Sequence, residues 1–299
     1  MKKYIGVDLG GTQARAALVS EDGKILQIVT NPSKAQEDAQ TIVDNLVSTI
    51  QQLDLDDSVV GIGLGVPGPV DTINGKMVMA TNIPALSGYN MQQAISERLN
   101  LPTFMDNDAN VAGLAEALVG AGKDKPIVYY VTHSTGIGGA LIVHGQCISG
   151  AHGHAGEIGN IIIDRNRKKI NNLNAGSIET EASGPAILRR AQESVSSDIK
   201  STKELFDLAR ENNEQAIDLV DEIAHDFAIM LSSIAHVVDP DAFVFGGGVT
   251  KSKDVYFDKV MKYFKNHVHK HMRDTEFLFA QLEEPGIVGA AMLPKSKGI

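Results

Sequence analysis

A chain of 299 residues, 43% of them hydrophobic and 21% charged, has the length for two domains that share a cleft and the composition of a globular protein. Its net charge of −10 argues against nucleic acid as a partner, which needs a basic face to release counterions, while small anions held by backbone amides stay open. Cys147 is the single cysteine, so no intrachain disulfide or cysteine-rich metal site can form, and the absence of any membrane-length apolar stretch or secretory leader fits a reducing cytoplasm.

The first elements are strands. Residues 4–9, 16–19 and 25–29 are apolar runs split by Gly10-Gly11-Thr12 and by Gly23, which reads as a β-meander. Ala39, Ile42, Val43, Leu46, Val47, Ile50 and Leu53 then recur at helical spacing and predict an amphipathic helix covering that sheet. Residues 59–66 predict a buried strand ending at Pro67-Gly68-Pro69, residues 91–99 a helix, and Val111 opens another helix that ends near Gly120. The opening grammar returns at residues 127–132, 140–143 and 147–148, with Thr135-Gly136-Ile137-Gly138-Gly139 and Gly145 as the turns. This internal repeat implies two related halves, each offering a backbone-lined phosphate loop to the space between them. Helices follow at residues 178–195, 203–210, 214–238 and 255–270, strands at 242–245 and 276–280, and a closing helix at 286–292. No low-complexity linker divides the halves. The expected boundary is a packed hinge near residue 115, giving a small N-terminal lobe, 1–115, completed by the C-terminal helix, 285–299, and a large lobe, 116–284. The one basic run, 165–169, reads as a solvated loop, and His267 with His271 as an exposed cationic helix end.

Chemistry gathers in two kinds of segment. Asp8 ends an apolar strand, where a carboxylate is costly unless satisfied, and Gly10, Gly11 and Thr12 after it permit close backbone approach and offer a hydroxyl. Thr135-Gly136 and Gly246-Gly247-Gly248 are loops of the same type, without the lysine of a P-loop or the Rossmann spacing into a helix. Together they suggest a nucleotide clamped between two lobes. The other segment is Asp106-Asn107-Asp108-Ala109-Asn110 at a strand-to-helix junction. Its carboxylates and carboxamides suit gripping a polyhydroxyl ligand and removing a proton from it, or equally an ordinary helix N-cap.

In order and over essentially the whole chain, the Asp8 loop, Asn107-Asp108-Ala109-Asn110, and residues 134–139, 150–159 and 246–249 resemble the motifs of the ROK family of bacterial sugar kinases and sugar-sensing repressors. The resemblance implies an α/β fold of the two-lobed actin-like and hexokinase-like (ribonuclease H-like) type, with a duplicated β-meander and a central cleft. It implies a kinase that moves the γ-phosphate of ATP, with Mg²⁺, to the 6-hydroxyl of a sugar. Glucose is the first choice; N-acetylmannosamine or another N-acetylhexosamine, fructose and a β-glucoside are alternatives. By the same resemblance Asp8, Gly10, Gly11 and Thr12 bind phosphate and Mg²⁺, Asp8 supplying the carboxylate, while Thr135 and Gly136 make the second phosphate contact and Gly246 and Gly247 face adenosine. Asp108 is the general base, and Gly68, Asn82, Asn107, Glu157 and Glu179 line the sugar pocket. A cytoplasmic homodimer without nucleic-acid or membrane partners completes the expectation. A non-catalytic sugar-sensing regulator is the competing class, disfavoured by the acidic charge.

The chain departs from that family at its zinc site. Most members carry Glu-x-Gly-His and three later cysteines, whereas here Glu157-Ile158-Gly159-Asn160 places Asn at the His and the cysteine positions fall on Ile170, Asn172 and Ser177. Tetrahedral zinc needs thiolate or imidazole ligands, so no structural zinc is expected. Asn160 then meets the sugar as a neutral donor and acceptor. The loop 165–177 must be held by hydrogen bonds, for which Asn171, Asn172 and Asn174 are suited, or else order only when sugar binds.

Overall fold

A computed structural model describes residues 1–299. Two sheets organise it. In the first, β1 (Lys3–Leu9), β2 (Gln13–Ser20) and β3 (Ile25–Pro32) form the meander; after α1 (Ala39–Ile50), β4 (Val59–Val66) pairs parallel with β1. A short hairpin, β5 (Val70–Asp71) and β6 (Lys76–Met77), and α2 (Met91–Leu99) intervene before β7 (Thr103–Asn107) joins β4 in parallel. The strand order is therefore β3-β2-β1-β4-β7, and α3 (Asp108–Val119) leaves directly from β7.

The second sheet repeats this order. It starts with β8 (Ile127–His133), β9 (Ile137–Val143) and β10 (Gln146–Cys147), and after α4 (Ile178–Ala182), α5 (Gly184–Ser194), α6 (Thr202–Arg210) and α7 (Glu214–Val238) it gains β11 (Ala242–Gly246). Then come α8 (Lys253–His267), β12 (Glu276–Phe279) and α9 (Pro285–Ser296), giving the order β10-β9-β8-β11-β12. The repeated glycine-turn grammar thus corresponds to repeated topology.

By compactness the chain divides into one unit of residues 1–130, 140–156 and 280–299 and another of 131–139 and 157–279. The boundary expected near residue 115 falls inside α3, all of which stays in the first unit. The reason is packing: Gly289 of α9 lies so close to α3 that an added Cβ would sit 1.6 Å from the Val111 carbonyl oxygen. The same helix rests on the first sheet, where a Cβ on Gly63 would come within 1.8 Å of the Ala290 carbonyl oxygen. A glycine lane is what lets backbone meet backbone there. Ile42, Val43, Leu46 and Ile50 of α1 supply the amphipathic face, fully buried among Ile5, Val7, Ile62 and Leu64. In the second unit Phe243 and Phe245 of β11 stand in register with Phe277 and Phe279 of β12, and Phe257 of α8 meets Phe279 edge-on at 4.7 Å.

Among the boundaries that differ from the sequence-based expectation, those of three helices have a clear local cause. α3 begins at Asp108 rather than Val111, because Asn107 takes the N-cap and accepts a hydrogen bond from the Asn110 amide at 3.0 Å. The helix expected over 178–195 is broken at Ser183, where Pro185 has no N–H to give and the Gly184 amide donates to the Ser134 carbonyl at 2.8 Å. α8 stops at His267, so His271 lies on a separate turn; His267 instead meets His225 of α7, with their Nε2 atoms 3.2 Å apart. No helix is long and apolar enough to cross a membrane.

Candidate active site

In the first unit, the β1–β2 turn exposes the backbone of Gly11 and Thr12, and Asn82 lies beside it: a Cβ added to Gly11 would be 3.6 Å from that of Asn82. Asp8 is not free-standing. Its Oδ2 accepts from Arg15, directly opposite on β2, at 2.5 Å, and Arg15 also donates to Glu284 at 2.7 Å. Arg15 was missed in the sequence, although a tight turn at Gly10–Thr12 makes residue 15 the cross-strand partner of residue 8. Gly68 follows β4 with φ of +86°, where its lack of a Cβ also clears the Met79 carbonyl.

Asp106, Asn107 and Asp108 divide their work by burial. Asp106 is buried behind the turn, accepting from the Asn110 side chain at 2.7 Å, the Asn107 amide at 2.8 Å and the Ser149 hydroxyl at 2.8 Å. Burial pushes its carboxyl above the usual range, and those hydrogen bonds pull it back. Asn107 caps α3 through Oδ1, which leaves its amide nitrogen for other partners. Asp108 is the exposed carboxylate, in the first turn of α3, where the helix N-terminus favours negative charge.

In the second unit the loop after β8, the Glu157 turn and α4 converge. Glu179 of α4 accepts from the Ile137 amide at 2.8 Å, and an added Cβ on Gly136 or on Gly159 would lie 2.8 Å from the same Oε2. Glu179, expected as a sugar ligand, is thus bonded to the loop that holds Thr135 and Gly136. Glu157 precedes a single 3-10 turn, Ile158–Asn160, and both Glu157 and Asn160 are exposed. Gly246 ends β11, and Gly247, at φ of +94°, passes so near β8 that a Cβ would be 2.4 Å from the His133 carbonyl oxygen.

His133 underlies this convergence and was not singled out from the sequence, though an imidazole closing a buried strand before a glycine loop is a signal. It is fully buried and stacked on Phe227, with Nε2 2.6 Å from the Ala182 carbonyl oxygen and Nδ1 3.2 Å from the Tyr256 hydroxyl. The carbonyl requires a proton on Nε2, so Nδ1 accepts from Tyr256. Burial lowers its pKa to about 4 from 6.5, while the Ala182 bond opposes the shift. Between those values the unfolded chain binds the proton and the folded chain does not. Stability from this residue is thus complete above pH 6.5 and is lost as pH falls to about 4, by about 3 kcal/mol. Urea unfolding from pH 7 downward is expected to show this slope and His133→Gln to flatten it; equal slopes would place the loss on carboxylates elsewhere.

Residues 4–297 match the ROK family profile. The chain belongs to the ROK family. It is 29% identical to a glucokinase of Thermotoga maritima over 99% of this chain and 98% of that protein. The ROK hexokinase of Thermus thermophilus matches with a TM-score of 0.86 at 29% identity, covering 99% of this chain and 100% of the other. A ROK family glucokinase of Streptomyces griseus, solved with glucose and AMPPNP, matches with a TM-score of 0.72 at 29% identity over 97% and 98% of the two chains. The fold is that of the ROK hexokinases, and the chain is a carbohydrate kinase.

At the positions where zinc ligands would fall in other ROK members, this chain carries Asn160, Ile170, Asn172 and Ser177. Asn160 Oδ1 is taken by the Asn174 amide at 2.7 Å, the Ser177 hydroxyl is buried 3.3 Å from that of Thr180, and Ile170 has no donor atom. No three His, Cys, Asp or Glu side chains converge as a metal-binding group. The basic run at 165–169 corrects the sequence reading: Arg167 is not solvated but paired with the buried carboxylates of Glu181 and Asp226, the latter shared with Arg190.

Proposed function

We propose that this ROK kinase transfers the γ-phosphate of ATP to the 6-hydroxyl of glucose, with Asp108 as the base. The observation that carries the reading is the contrast at the start of α3. Asp106 is buried and fully bonded, Asn107 is held as the cap, and Asp108 projects from the first turn with its carboxylate exposed. Asp108 would accept the hydroxyl proton as the sugar oxygen bonds to the γ-phosphorus and the bond from phosphorus to the β,γ-bridging oxygen breaks, releasing ADP. Asn107, Asn82, Glu157, Asn160 and Glu179, with Gly68, are assigned to the sugar. Gly10, Gly11, Thr12, Thr135 and Gly136 are assigned to the phosphates, and Gly246 and Gly247 to adenosine.

Mg²⁺ bound with ATP would neutralise charge developing on the phosphates. Asp8 and Thr12 offer the oxygen-only donors that a hard cation prefers, with Arg15 holding the Asp8 carboxylate in place. Glucose is favoured because the Thermotoga maritima relative is a glucokinase and the Streptomyces griseus structure contains glucose. A coupled ADP-release assay over glucose, N-acetylmannosamine, N-acetylglucosamine, fructose and a β-glucoside tests this directly. Glucose is expected to give the highest kcat/KM. A higher value for another sugar would reassign the substrate, and no sugar-dependent ADP release would remove the kinase reading.

A further inference from the structure

The segment between Asn160 and Ile178 carries a set of hydrogen bonds and ion pairs. At its base the Ile178 amide donates to the Ile161 carbonyl at 2.9 Å and the Ile163 amide to the Gly176 carbonyl at 2.9 Å. Asn174 donates to Asn160 twice, from its backbone to Oδ1 at 2.7 Å and from its side chain to the carbonyl at 3.2 Å. At its far end Arg167 reaches α7 and α4 together. Its two terminal nitrogens each lie 2.7 Å from an oxygen of Asp226, and one is also 3.1 Å from Glu181. Arg190 adds a second guanidinium, 3.0 Å from the same Asp226 and 3.0 Å from the Glu181 carbonyl oxygen.

The burial of the carboxylates gives this cluster its leverage. Asp226 is 3% exposed and Glu181 7%. Water does not screen such groups as it screens a surface pair, and removal of Arg167 takes the guanidinium from Glu181 and leaves Asp226 with Arg190 alone. The fork is also directional, because two parallel N–H bonds to one carboxylate fix the guanidinium plane in a way that an ammonium cannot. Glu181 lies two residues beyond Glu179 on the short helix α4. That helix is tied down further by Arg189 at the Thr180 carbonyl, 2.7 Å, and by His133 at Ala182.

We propose that Arg167 is a positioning residue for the sugar side of the site, its fork to Asp226 and Glu181 fixing the 161–177 loop, and through it Asn160 and Glu179, where zinc performs that role in other ROK members. Only the kinetic consequence rests on the kinase reading above. The Ile137 amide, bonded to Glu179, reports the position of that carboxylate whether or not the enzyme turns over.

The experiment compares full-length wild type, Arg167→Met and Arg167→Lys, each treated with EDTA and then exchanged into chelator-free buffer, by amide hydrogen exchange and, with Mg²⁺ added back, by steady-state kinetics. Met keeps the unbranched apolar stem and loses the charge; Lys keeps the charge and loses the fork, and serves as the variant read if Met does not fold. Exchange at Asn174 and Ile137 is expected to accelerate in both. The KM for sugar is expected to rise roughly 10- to 100-fold in Arg167→Met, and by less in Arg167→Lys. Exchange at Ile137 equal to wild type overturns the proposal, as does a KM for sugar in Arg167→Met equal to that of wild type. About one zinc per chain surviving EDTA in the wild type would also overturn it. A wild type with no sugar-dependent turnover would sink the kinase reading instead, and the Ile137 amide would still decide the role of Arg167.

Discussion

Asp108→Asn is expected to bind sugar with little change in affinity and to lose about 10²- to 10⁴-fold in kcat. The substitution keeps size and one acceptor oxygen at the start of α3, and removes the negative charge together with the ability to accept a proton. Asn107 remains the cap through its own bond to the Asn110 amide, so the helix is not expected to fray. The neighbouring Asp106→Asn serves as the contrast. Asp106 is buried among Asn110, Ser149 and the Asn107 amide, so its loss should appear in stability before catalysis. Turnover from the coupled assay and sugar affinity from calorimetry separate the two effects. Full turnover by Asp108→Asn would take the base assignment away from this residue.

Glu116→Ala is expected to cost about 3–5 kcal/mol of stability, the largest single loss anticipated outside the proposed catalytic residues. Glu116 is fully buried. Its Oε1 accepts from the Gln281 and Leu282 amides at 3.0 and 2.9 Å, and its Oε2 from the Ala121 amide at 2.8 Å. One carboxylate thus closes the end of α3 and anchors the strand-to-helix connection into α9. Alanine would leave three backbone donors without that acceptor, and an unsatisfied buried donor costs about 1–3 kcal/mol. Glu116→Gln retains one acceptor oxygen and should fall between wild type and alanine. Urea unfolding at neutral pH measures both; a loss below about 1 kcal/mol for alanine would show that water replaces the carboxylate.

The candidate site was legible where chemistry and local geometry coincide. Asp8 before two glycines, a carboxylate cluster at a strand-to-helix junction and a repeated glycine turn all carry their meaning within a few residues. The competing readings of Asn107 as cap and as ligand proved compatible, because capping occupies Oδ1 alone. The helix break at Ser183 was present as Gly184-Pro185 but lay inside a convincing apolar period, and the period dominated the reading. Arg167 gave no such warning. A short basic run in a polar loop looks the same whether water or a buried carboxylate receives it.

By itself the sequence determined the strand and helix periods, the glycine turns, the capped corner and the duplicated order of the two halves, because each depends on contacts within a strand, a helical turn or a hairpin. Only the tertiary structure decided the partners of buried charge. Glu116 meets amides 165 and 166 positions away, Arg167 meets Asp226 59 positions away, and Glu179 meets the Ile137 amide 42 positions back. The cost of burying a charge depends on which groups the fold brings within hydrogen-bond reach, and that is set by the packing of distant segments rather than by the residues on either side.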